Sequence, residues 1–165
     1  MELKRVVVTG IGAVTPIGNT AEETWHNMLA GVSGAAPITH FNAEKFKTQF
    51  ACEVKNFDAT KYIDRKEARK MDLYCQFALA AAQMAVEDSG MDVETLDRNR
   101  AGVVMGVGIG GMRTYEEEVI AYAKTAETIG PKFSPFFVPK MIADICAGHI
   151  SIKYGFHGPN YITTS

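Results

Sequence analysis

The sequence has little with which to cross-link, chelate or carry bulk charge. It holds three cysteines, Cys52, Cys75 and Cys146, each more than 20 positions from the next, and four histidines. There is no CxxC pair and no cysteine with a near histidine, which excludes a zinc cluster or disulfide framework and predicts free thiols in a reducing compartment. The formal net charge is −2, so the chain as a whole is not built to bind nucleic acid or an anionic membrane. Any anionic partner must be met by a local patch. No apolar run approaches the ~18 residues of a membrane span. The opening Met1-Glu2-Leu3-Lys4-Arg5 leads into only three apolar residues, Val6-Val7-Val8, before Thr9-Gly10, too few for a signal peptide. The expected location is the cytoplasm. Low-complexity segments and internal repeats are also missing.

What is present is globular composition, 47% hydrophobic and 22% charged over 165 residues, enough for one sizeable core and a single domain over 1–165. Val6-Val7-Val8, closed by Thr9-Gly10-Ile11-Gly12, predicts a short strand buried on both faces. Thr20 and Glu23 have the spacing of a capping box, opening a helix that carries Trp25, Met28 and Leu29 and stops at Gly31. Phe41, Phe46 and Phe50 are expected to pin the irregular stretch 32–60 to the body. The strongest helical periodicity runs from about Lys66 to Ser89 and stops at Gly90, with Met71, Tyr74, Cys75, Ala78, Ala82, Ala85 and Val86 along one stripe. So many alanines predict very close backbone packing. A second buried strand is expected over 101–106, then a helix near Tyr115–Lys124 opened by Thr114 and Glu117. An extended aromatic segment from Phe133 to Pro139, a helix to Tyr154 and a strand from Pro159 to Ser165 complete the pattern. Strands alternating with helices predict a largely parallel sheet with covering helices. The last strand has no turn or cap after it, so the chain is expected to be a truncated piece.

Two glycine-rich turns invite a phosphate-binding reading. After Thr9-Gly10-Ile11-Gly12, Pro16 stands where the cradling helix should run and no acidic strand end follows, so a structural tight turn is the better reading. Gly106-Val107-Gly108-Ile109-Gly110-Gly111 lacks the following Lys-Ser/Thr of a phosphate cradle. Ile109, alone and bulky among glycines, suits a hydrophobic gate, but on spacing alone a plain strand-to-helix turn is the better reading. Arg65, Lys66, Arg69 and Lys70 share one end of the long helix, where Lys61 to Lys70 nets +3 on a negative chain. This is either a solvated face or a docking patch. His149 lies in an apolar helix and reads as packed rather than catalytic. No nucleophile–base pair is evident.

The segments Arg5-Val6-Val7-Val8-Thr9-Gly10-Ile11-Gly12, Thr15-Pro16-Ile17-Gly18-Asn19, Arg65-Lys66-Glu67-Ala68-Arg69-Lys70-Met71-Asp72, Gly106 to Gly111, Ser134-Pro135-Phe136-Phe137-Val138-Pro139 and Ala147-Gly148-His149 occur in one order. Together they resemble the β-ketoacyl-acyl-carrier-protein synthases of the thiolase-like condensing class, closest to the type II elongating enzyme of fatty-acid synthesis. The resemblance implies an α/β, thiolase-like fold: the N-terminal half of a layered αβαβα architecture with a mostly parallel sheet. Residues 1–165 would be the N-terminal β-ketoacyl synthase domain, ending just before the nucleophile elbow.

Ser165 aligns with the Thr/Ser that precedes the family's Ala-Cys step, which puts the cysteine two residues beyond it and both catalytic histidines later still. No catalytic residue is then expected within 1–165, and the fragment alone is expected to be inactive. The resemblance assigns Ile109 as the gate to the acyl pocket and Phe137 as a pocket wall reaching across a homodimer interface. Lys66, Arg69 and Lys70 become the contact for acyl carrier protein. No metal or cofactor of its own is implied, since the phosphopantetheine arm is carried by the partner. Two alternatives are a chain-length or decarboxylating partner subunit without the nucleophile, and a nucleotide-binding oxidoreductase fragment, which Pro16 disfavours.

Overall fold

The computed structural model describes residues 3–130 and 132–164. In chain order the elements are α1 (Ala21–Leu29), β1 (Ala36–Pro37), β2 (Phe50–Ala51), α2 (Arg65–Ala68), α3 (Leu73–Asp88), β3 (Val103–Val107), α4 (Met112–Thr125), α5 (Phe137–Met141), α6 (Ile145–Tyr154) and β4 (Asn160–Thr164). Contacts group them into two compact units. One comprises the residues up to 58 with 80–90, the other 59–79 with 91 onward, so α3 contributes to both.

In the first unit Thr20 caps α1 as its spacing predicts, its hydroxyl accepting from the Glu23 N–H at 3.1 Å. The reciprocal bond shifts by one residue: Glu23 accepts from the Asn19 N–H at 2.7 Å. The Thr15–Asn19 loop is stitched to α1 by Asn27, which donates to the Ile17 carbonyl at 2.6 Å. Gly10 and Gly12 lie directly on α3. A Cβ at Gly12 would sit 1.9 Å from the Ala81 carbonyl oxygen, and one at Gly10 would sit 2.2 Å from that of Ala85. Ala81, which lies off the expected stripe, and Ala85 on it therefore let backbone meet backbone, and the glycines of this turn are used for packing. A phosphate cradle needs its N–H groups free, but the Ile11 N–H donates to Asp88 at 2.8 Å.

Two expectations in this unit fail. Val6-Val7-Val8 is not a strand: among the described residues it pairs with none, and Val6 and Val8 are 90% and 80% exposed. β-branched residues favour extended backbone, but a strand exists only where a neighbour completes its ladder. Phe41, Phe46 and Phe50 are exposed rather than buried against the body; Phe41 and Phe46 meet edge to face at 5.4 Å.

The second unit carries a parallel pair, β3 and β4, in register from Val103 opposite Asn160 to Val107 opposite Thr164. Residue 165 of the expected last strand lies outside the described residues. Gly102 permits entry to this pair, since a Cβ there would lie 2.3 Å from the Pro159 carbonyl oxygen. The α6 helix covers one face of the pair, burying Cys146, Ala147 and Ile150. Val103 is buried and Val104 exposed, so β3 is covered on one face rather than both.

The expected Lys66–Ser89 helix is two helices. Asp64 caps α2, accepting from the Lys66 N–H at 2.7 Å, and the chain turns before α3 starts at Leu73. Asp72 causes the restart, its carboxylate accepting from the Tyr74 N–H at 3.3 Å. An Asp side chain that competes for nearby N–H groups favours a cap over a helix interior. Gln76 closes the break by donating to the Ala68 and Met71 carbonyls at 3.0 and 3.1 Å. The helix expected up to Tyr154 is likewise interrupted between Met141 and Ile145, and its first part, α5, begins inside the segment expected to be extended.

Candidate functional site

The loop from Gly108 to Gly111 joins β3 to α4 and sets out Ile109, which is 69% exposed. Its two ends are held very differently. At Gly108 a Cβ would meet nothing within 4 Å. At the other end the backbone is clamped: Gly111 donates its N–H to the Met141 carbonyl at 3.0 Å, and Gly110 adopts φ +93° with a Cβ position only 2.5 Å from that oxygen. Only glycine combines that φ with that approach.

Thr114 and Glu117 do not form the expected capping box. Gly111 caps α4 without a side-chain bond, and Glu117 instead pairs with Arg113 at 2.8 Å. Thr114 turns inward. Its hydroxyl donates to Asp72 at 2.6 Å and its N–H to the same carboxylate oxygen at 3.2 Å, with both residues buried. Two residues along, the Tyr74 hydroxyl donates to the Ile142 carbonyl at 2.6 Å. The first turn of α3 thus grips both α4 and the chain leaving α5. From the sequence Tyr74 was expected only as part of the packed stripe and Asp72 was not singled out, although an Asp inside a helical run is itself the signal of a cap.

Phe137 opens α5 in an aromatic series. Its ring stacks on Phe133 at 5.4 Å and on Tyr115 at 6.2 Å, and Phe133 stacks on Tyr122 at 5.2 Å. Ile109 and Phe137 therefore stand on neighbouring segments, joined by the Gly111–Met141 bond at the end of α5. A recess of about 430 Å³ between α6 and β4 is bordered by Asp144, Asn160 and Tyr161 and includes neither of them.

The basic residues stand on α2 and the turn after it. Lys66 and Arg69 are exposed, and Lys70 pairs with Glu67 at 2.6 Å. Asp64 caps this short helix and Glu67 lies in its first turn, so acidic groups sit at the helix start beside the basic ones.

The cysteines are free. Cys52 is exposed, whereas Cys75 and Cys146 are buried. Burial is the main cause that pushes the Cys75 thiol up to about 12, reinforced by Cys146 and Asp72, so it is no thiolate nucleophile at neutral pH. Burial also lowers the His149 pKa from 6.5. No group of three His, Cys, Asp or Glu side chains that could hold a metal occurs among the described residues. No helix among them is long and apolar enough to cross a membrane.

The sequence and the fold agree on relatives. The model of the β-ketoacyl synthase N-terminal domain matches residues 3–165. A 3-oxoacyl-[acyl-carrier-protein] synthase 2 from Synechocystis sp. is 42% identical over 165 residues, covering all of this chain and 39% of the relative. One from Coxiella burnetii is 46% identical over 161 residues, covering 97% of this chain and 38% of the relative. The chain thus spans about two-fifths of the length of the curated relatives it matches. A type II PKS ketosynthase, solved in complex with its acyl-carrier protein and bound to the hexaketide, superposes with TM-score 0.75 at 29% identity, covering 95% of this chain and 41% of that one. The ishigamide ketosynthase/chain length factor gives 0.81 at 27%, covering 96% and 39%. With the domain model matched over residues 3–165 and the fold shared with these ketosynthases, the chain belongs to the β-ketoacyl synthase family and carries its N-terminal domain.

Proposed function

We propose that residues 1–165 act as one N-terminal domain of a cytoplasmic, homodimeric 3-oxoacyl-acyl-carrier-protein synthase of fatty-acid elongation. The reaction is a decarboxylative Claisen condensation. A cysteine thiolate outside 1–165 takes the acyl group from the carrier's phosphopantetheine thioester and releases the carrier thiol. Malonyl-carrier protein then loses CO2, and the resulting enolate attacks the enzyme thioester to give the 3-oxoacyl carrier and free thiolate. Within this chain, Ile109 gates the acyl pocket and Phe137, stiffened by its ring stack, walls it. Lys66, Arg69 and Lys70 meet the acidic carrier, which brings the pantetheine arm, so the chain needs no cofactor of its own.

The observation that carries this reading is the match along the chain to relatives of 42% and 46% identity named 3-oxoacyl-[acyl-carrier-protein] synthase 2. A ketosynthase of like fold held with its acyl-carrier protein supports the choice of partner. The test is condensation of acyl- and malonyl-carrier protein by the full-length protein, with trapping of the acyl-enzyme. Product formation with an acyl-cysteine is expected. Malonyl decarboxylation without acylation would instead support a partner subunit lacking the nucleophile, a reading favoured by the likeness to a ketosynthase/chain length factor.

A further inference from the structure

The contact between Asp72 and Thr114 spends a buried carboxylate on the first turn of α4. One Asp72 oxygen accepts both the Thr114 hydroxyl at 2.6 Å and its N–H at 3.2 Å, while the other accepts from the Tyr74 N–H. Capping α3 requires only the last of these bonds. The first two fix where α4 begins, and α4 begins one residue after the loop that bears Ile109. The loop leaves β3 at Val107, which is paired with Thr164; a Cβ at Gly108 would meet nothing within 4 Å, while Gly110 and Gly111 are clamped to Met141. On its C-terminal side the place of Ile109 is set separately from that ladder. Two contacts act there: the Met141 carbonyl on the loop itself, and Asp72 through Thr114 on the helix that continues it.

We propose that Asp72 and Thr114 are positioning residues for the Ile109 gate, and that their hydrogen bond helps set which acyl chain lengths the pocket takes. The inference rests on the condensing reading above. Neither residue touches substrate; both act through the height and tilt at which Ile109 stands over the chain. A contact that only stabilised the fold would lower the melting temperature and the active fraction, and would leave the ranking of acyl chains alone.

The experiment uses the full-length protein with Thr114→Val, Thr114→Ser and Asp72→Asn. Valine keeps the shape and the backbone N–H but removes the hydroxyl donor; serine keeps the donor. For each, kcat and KM are measured for transfer from a short and a long acyl-carrier protein, beside malonyl-carrier decarboxylation and Tm. Thr114→Val and Asp72→Asn are expected to change the long-to-short ratio of kcat/KM by about three- to tenfold, the range one hydrogen bond supplies. Decarboxylation should stay near wild type, and Thr114→Ser should restore the ratio. An unchanged ratio in Asp72→Asn or Thr114→Val, or a serine variant as altered as the valine one, overturns the proposal. Wild-type protein that transfers no acyl group overturns the condensing reading, and this inference with it. Using two independent variants keeps the outcome decisive if one fails to fold.

Discussion

At the scale of single residues, the clearest constraints are places where a methyl group cannot go. A Cβ at Gly12 would lie 1.9 Å from the Ala81 carbonyl oxygen, which is backbone and cannot swing aside. Gly12→Ala is expected to lower stability by about 1–3 kcal/mol, the usual cost of overpacking, read from denaturant midpoints. His149 makes a different kind of prediction. Desolvation lowers its pKa below 6.5, with Glu67 pulling weakly the other way. Between that lowered value and 6.5 the unfolded chain binds the proton more readily than the folded one. Stability is therefore whole above pH 6.5 and falls as pH drops through this window. An NMR titration of the native imidazole should show a midpoint below 6.5, and His149→Gln should flatten the stability slope there. Ile109→Phe belongs to the proposed function. A ring in the gate should impair transfer of long acyl chains more than short ones and leave malonyl decarboxylation nearly intact. Equal losses in all three assays would make Ile109 a turn residue only.

At the scale of elements, the two-helix arrangement of α2 and α3 decides how the basic patch works. Lys66 and Arg69 are exposed, but Lys70 is engaged with Glu67 at 2.6 Å. Replacing Lys66, Arg69 and Lys70 together by alanine should weaken binding of an acidic carrier protein by about 1–3 kcal/mol, at up to ~1 kcal/mol per exposed pair. The loss should shrink as salt rises, because exposed charges are screened over ~8–10 Å. Folding stability should change little, since Asp64 still caps α2. Titration calorimetry at two salt concentrations checks both parts; equal affinity at low salt would reduce the patch to a solvated face. The break that shapes this patch also marks the limit of reading elements from periodicity. The apolar spacing of α3 and the cap at Thr20 were legible because each depends on neighbours close in sequence, and the two strands β3 and β4 were legible as apolar runs although their pairing joins residues 57 positions apart. Thr114 and Glu117 had capping-box spacing too, yet a carboxylate 42 positions away took the hydroxyl. Spacing names the donors available to a helix end and cannot name a distant acceptor that competes for them. For the same reason the sequence offered Ile109 and the basic turn as candidates, while the Asp72 and Tyr74 bonds that hold their surroundings emerged only from the fold.

At the scale of the whole chain, the composition is globular but the distribution of exposure is not. Val6, Val7 and Val8 stand in solvent, as do Trp25, Met28 and Leu29 on α1 and Ile152 on α6. A continuous β-branched run outside a ladder leaves backbone N–H and C=O groups beside apolar side chains, the combination that recruits another strand. The failed expectation of a buried strand at 6–8 thus has an energetic meaning: its side chains favour burial, and among the described residues nothing covers them. Apolar surface stabilises by roughly 25 cal/mol per Å² when removed from water, so patches of this kind favour association when protein is concentrated. The 165-residue chain made alone should bind a hydrophobic dye such as ANS strongly and should associate further as its concentration rises. Val7→Lys, placing a charge in the middle of the run, should reduce both effects, as charged residues do on sheet edges. The full-length protein, if its remaining residues or a second subunit complete the ladder, should bind far less dye per chain. Light scattering and dye fluorescence across a concentration series provide the check. A 165-residue chain that stays monodisperse and binds no more dye than the full-length protein would show that the valine run is satisfied by water alone.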